Sequence, residues 1–74
     1  MHNGQSLMLL RKLKNKTQQH IAKKINTTQQ YVSELEKLEH INSEKLDSIL
    51  KALNSNREEF EKFKKTFSAH INGD

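Results

Sequence analysis

A primary amide both donates and accepts hydrogen bonds, and the sequence sets such groups immediately after two hydroxyl residues, as Thr17-Gln18 and Thr28-Gln29-Gln30. Ser33, Glu34 and Lys37 follow at spacings that share the exposed side of one helix with Gln29 and Gln30. This is recognition chemistry. A glutamine amide matches a paired donor and acceptor such as adenine N6 and N7. A carboxylate accepts from an amino group such as cytosine N4, or rejects surfaces that present only acceptors. A lysine neutralises an anion. Threonine ahead of an apolar run caps a helix, and the N–H groups of a helix start bind anions. Bond-breaking chemistry has no such support. There is no glycine-rich phosphate loop, no paired-carboxylate pocket and no nucleophile beside a base, so an enzyme is not expected. So small a domain also leaves little room for an enclosed cavity of about 300 Å³. His2, His20, His40 and His70 show no i, i+4 spacing and there is no Cys, so neither a metal site nor a cofactor is expected.

The elements that must position these groups follow from apolar periodicity. Ile21, Ala22 and Ile25 follow Thr17, and Val32 and Leu35 follow Thr28, predicting helices over 18–25 and 29–37 with the polar turn Asn26-Thr27 between them. Two short helices, each with one buried face, joined by so tight a turn make a helix-turn-helix unit, which sets its second helix in the DNA major groove. A helix over 7–14 precedes it, with Ser6 as its cap and Leu7, Leu10 and Leu13 inward. A fourth helix starts after Asn42, where Leu46, Ile49, Leu50 and Leu53 form a stripe and Ile41 staples onto Leu46. The fifth starts near Asn56, which forms a capping box with Glu59, and carries Phe60, Phe63 and Phe67 towards His70 or Ile71. There is no proline, and the two glycines, Gly4 and Gly73, lie near the ends, so Asn15, Asn26 and Asn54 are the expected helix stops. Asparagine tolerates the left-handed conformation better than most residues.

Size and composition bound the rest. Seventy-four residues make one domain, near the lower limit for folding alone, and with 32% hydrophobic residues nearly every large apolar side chain must be buried. The expected layout is a disordered tail over 1–5, one domain over 6–71 and a short tail over 72–74. No apolar run approaches the ~20 residues of a membrane span, so a cytoplasmic protein without membrane contact is expected. A net charge of +4 and a pI of 9.5 suit a nucleic-acid partner without proving one.

With these residues in place, the chain resembles the phage-repressor family, the Cro-like helix-turn-helix domains, over roughly residues 7–60. The likeness rests on the joint spacing of Leu10-Arg11, Thr17-Gln18, Ile21-Ala22, Ile25, Thr28-Gln29, Val32, Leu35-Glu36, Leu46, Ile49 and Lys51-Ala52-Leu53. Asn26 stands where the family usually has glycine, Lys16 and Thr27 replace positions often apolar, and Glu34 replaces a neutral or basic residue. The resemblance implies a compact all-α, five-helix fold and a transcriptional regulator, a repressor, bound as a homodimer to a two-fold symmetric DNA operator. Gln29, Gln30, Ser33 and Glu34 would then read bases. Lys16, Thr17, Gln18, Thr28, Lys37 and His40 would contact phosphates, with Lys45 flanking them. Tyr31 would either donate to a phosphate or pack between the second and third helices. Arg11 and Glu36 would form a structural ion pair, and Phe63, Phe67 and Ile71 a dimer interface. The alternative is a protein–protein interaction module of the same fold, or an antitoxin partnered with a toxin; Glu34 and the phenylalanine-rich fifth helix favour it.

Overall fold

In the computed structural model, residues 2–71 are described, with side chains described over 2–66. Five helices follow in order: α1 (Asn3–Leu13), α2 (Gln18–Lys24), α3 (Gln29–Leu35), α4 (Ser43–Ala52) and α5 (Arg57–Ile71). No strand occurs among the described residues.

Seven-residue helices such as α2 and α3 are too short to persist in isolation. Caps and burial hold them. Thr17 Oγ1 accepts from His20 N–H at 3.0 Å and Thr28 Oγ1 from Tyr31 N–H at 3.1 Å. Asn42 Oδ1 accepts from Glu44 N–H at 2.9 Å, and Asn56 Oδ1 from Glu59 N–H at 2.8 Å. Only that half of the expected capping box forms. The Glu59 carboxylate turns instead to the Ser55 hydroxyl and to Lys14 Nζ at 3.2 Å.

Three helices stop in the same way. Asn15, Asn26 and Asn54 take φ of 63°, 60° and 57°. Around each, two backbone bonds close a Schellman motif. After α1 they are Lys16 N–H to Arg11 C=O (3.0 Å) and Asn15 N–H to Lys12 C=O (3.0 Å). After α2 they are Thr27 N–H to Ala22 C=O (2.8 Å) and Asn26 N–H to Lys23 C=O (3.3 Å). After α4 they are Ser55 N–H to Leu50 C=O (2.8 Å) and Asn54 N–H to Lys51 C=O (3.0 Å).

Leu7, Leu10, Ile21, Ala22, Val32, Leu35, Ile41, Leu46, Ile49, Leu50, Leu53 and Phe60 form one buried cluster. Full burial of each large side chain stabilises by about 1.5–3 kcal/mol. Phe60, fully buried, brings the start of α5 into that core, and α5 runs back along α1, where Lys64 Nζ donates to Asn3 Oδ1 at 2.6 Å.

Three expectations for the first helix are corrected. It begins at Asn3 instead of 7, so residues 3–5 are its first turn, not a disordered tail, and Ser6 is a buried interior residue, not a cap. The free N–H groups of Asn3 and Gly4 bond Glu39 C=O and Leu38 C=O, each at 3.0 Å, so the carbonyls after α3 do the work a capping side chain would. Gly4 allows this approach: a Cβ there would lie 2.6 Å from both Leu35 O and Leu38 O. Leu13 is 72% exposed, because the helix turns it away from the face shared by Leu7 and Leu10.

Candidate nucleic-acid interface

Glu36 caps the C-terminus of α3 and reaches back into the protein. It meets Arg11 of α1 in a two-pronged ion pair, with Arg11 Nε 2.6 Å from Oε2 and Nη2 3.1 Å from Oε1. Both residues are buried, at 7% and 6% exposure, so the pair is shielded from solvent and each charge depends on the other. The third guanidinium nitrogen, Nη1, donates to Lys16 C=O at 2.7 Å. Arg11 thus fastens the segment entering α2 to the end of α3.

Gln18, first residue of α2, joins the same cluster. Its Nε2 donates to Glu36 Oε1 at 2.9 Å, and its Oε1 receives Gln29 Nε2 at 3.5 Å. The starts of α2 and α3, each capped by a threonine, are therefore side by side. Gln29, Gln30 and Glu34 are exposed on α3, and Ser33 is half-buried. On the flanking segments Lys16 is half-buried and Thr17, Thr28, Lys37 and His40 are exposed, Lys37 and His40 lying beyond the last turn of α3. Tyr31 is half-buried, packed against the core, with Lys45 Nζ 5.7 Å from its ring centre, so the geometry fills its packing role.

Of the acidic residues of α3 and the segment after it, Glu36 is buried and paired, Glu34 is exposed, and the exposed Glu39 lies 3.7 Å from His2 Nε2. Lys23 and Lys24 close α2, where they also complement the negative end of the helix. No group of three or more metal-binding side chains occurs among the described residues.

The phenylalanines of α5 divide. Phe60 belongs to the core and Phe63 is half-buried against it, so Phe63 serves its own domain at least in part. The side chains of Phe67 and Ile71 lie outside those described, as does the segment 72–74.

Sequence reasoning did not find the Gln18–Glu36 bond. These residues are 18 positions apart and a glutamine opening a helix has no local signal of such a partner.

Five helices, with two short capped ones meeting at a tight turn and presenting polar side chains outward, define a helix-turn-helix domain of the DNA-binding type. A family model described as helix-turn-helix matches residues 7–60, and the chain belongs to that family, the helix-turn-helix domains of phage-repressor (XRE) type. Its members are DNA-binding regulatory domains. No curated protein and no solved structure matches the chain. No helix among the described residues is long and apolar enough to cross a membrane.

Proposed function

We propose that the protein is a sequence-specific transcriptional repressor that binds a two-fold symmetric operator as a homodimer. One observation carries this reading: the two threonine-capped starts of α2 and α3 are locked together through Gln18, with Gln29 beside it and Gln30 and Glu34 exposed on the same helix. That arrangement supports docking of α3 in the major groove, where Gln29, Gln30, Ser33 and Glu34 read base edges. Lys16, Gln18, Lys37, His40 and the N–H groups behind Thr17 and Thr28 grip the flanking phosphates, to which the Tyr31 hydroxyl adds a donor. Glu34 accepts from cytosine N4 or excludes sequences that offer it only acceptors.

A second reading, a protein-binding module or an antitoxin held by a toxin, is favoured by the length of α5. It continues from Phe60, where the family match ends, to Ile71.

Selection of bound duplexes from random DNA, followed by a salt titration on the winner, tests the first reading. A palindromic consensus is expected, with log affinity falling by about 0.9 per phosphate contact for each unit of log salt. Absence of binding to any duplex at low salt would overturn the first reading and favour the second.

A further inference from the structure

We infer that Glu36, too deeply buried to touch DNA, decides which way round Gln18 and Gln29 present their amides, and so which base edge Gln29 accepts. The consequence for base choice rests on the DNA-reading assignment above; the polarity itself does not.

The oxygen and nitrogen of a glutamine amide are nearly the same size, so a free side chain on a surface turns either end to its partner at little cost. Glu36 removes that freedom. Both of its oxygens already accept from Arg11, from Nε at 2.6 Å and from Nη2 at 3.1 Å, so the face it turns to Gln18 is a hydrogen-bond acceptor. The Gln18 atom that faces it at 2.9 Å must therefore be the nitrogen. Gln18 Oε1 then points outward, towards Gln29, and an acceptor there requires the Gln29 nitrogen, which lies 3.5 Å away. The first of these steps is short and half-buried and sets the direction; the second is long, between surface groups, and transmits it.

The remaining valences suit two different tasks. Gln18 has one N–H left, a donor, as a phosphate oxygen requires. Gln29 has its Oε1 and one N–H left, on sides fixed by the contact with Gln18. Paired recognition of adenine needs the oxygen towards N6 and the nitrogen towards N7, an order that a freely turning amide does not enforce. Glu36 is on this account a positioning residue for base choice, separate from its role in the ion pair.

Two variants and one spectroscopic measurement test this. In the free protein, nuclear magnetic resonance should show scalar coupling across the hydrogen bond between Gln18 Nε2 and the Glu36 carboxyl carbon, with the Gln18 amide protons slowed in exchange. Glu36→Gln, which donates as well as accepts, should then bind DNA with discrimination at one base pair per half-site reduced to within about threefold. A good paired contact supplies roughly 5- to 150-fold. Should stranding of Arg11 unfold that variant, the double replacement Arg11→Met with Glu36→Met removes both charges and the acceptor together. It should show the same loss at the same base pair, with the ranking at other base pairs kept. Full discrimination at that pair in either folded variant overturns the inference. So does a Gln18 amide with no coupling and freely exchanging protons. If the unaltered protein selects no duplex, the DNA assignment falls and takes the consequence for base choice with it, while the coupling still decides the polarity.

Discussion

At the residue scale, two positions invert the usual expectation about a substitution. Glycine inside a helix ordinarily weakens it by about 0.5–1 kcal/mol relative to alanine. Gly4 does the opposite, because a Cβ would press on backbone oxygens of Leu35 and Leu38 at 2.6 Å, and backbone cannot swing aside as a side chain can. Gly4→Ala should destabilise by about 1–3 kcal/mol, the scale of overpacking, and lower the thermal midpoint; an unchanged or higher midpoint would remove this account of the α1 docking. At Asn26 the left-handed backbone (φ 60°) favours glycine over any side chain branched at Cβ. Asn26→Gly should be neutral or slightly stabilising and Asn26→Val should cost more than about 1 kcal/mol. Equal denaturant midpoints for the two variants would show that this conformation is not what ends α2.

At the element scale, Glu59 ties three segments: its own helix α5, the end of α1 through Lys14, and the turn before α5 through Ser55. The Ser55 hydroxyl first, and Lys14 second, hold its carboxyl below the ordinary value of 4.5. A depressed carboxyl pKa contributes stability that is present above the unfolded-state value and is lost as pH falls through the folded one. The tie therefore weakens on the acid side, below the ordinary carboxylate range. Glu59→Gln should lower the thermal midpoint at neutral pH and make it fall less steeply on acidification. Parallel curves of midpoint against pH for the two proteins would show that Glu59 is not linked to folding. The larger electrostatic dependence is Arg11 with Glu36, where removing one partner costs about 3–5 kcal/mol by stranding the other in the interior.

At the scale of the whole molecule, the extents of 39 × 22 × 21 Å describe a small body drawn out along one axis. The proposed operator geometry needs two recognition helices about 34 Å apart along one face of DNA, which a single domain cannot supply. We propose that the α5 helices pair through Phe63, Phe67 and Ile71. Light scattering at micromolar concentration should report a dimer, and Phe67→Ala should raise its dissociation constant at least tenfold, equivalent to about 1.4 kcal/mol. A monomer at millimolar concentration would rule out this pairing.

The sequence by itself determined what is decided within a few residues. The caps at Thr17, Thr28, Asn42 and Asn56 act over two or three positions, and the stops at Asn15, Asn26 and Asn54 over five. The helical stripes likewise encode which faces turn inward, so element order and the all-α fold were legible along with the identity of the core. Leu13, the last residue of α1, broke the pattern because the helix turns it away from the face shared by Leu7 and Leu10. Only the tertiary structure decided the rest. The start of α1 depends on carbonyls at Leu38 and Glu39, which rescue an Asn-Gly opening that locally reads as tail. The bonds from Gln18 to Glu36 and from Lys64 to Asn3 join residues 18 and 61 positions apart. No pattern within a few residues encodes such partners, because each depends on how whole helices are packed: a polar side chain carries its hydrogen-bonding capacity in its own chemistry, but the partner that uses it is brought there by the fold.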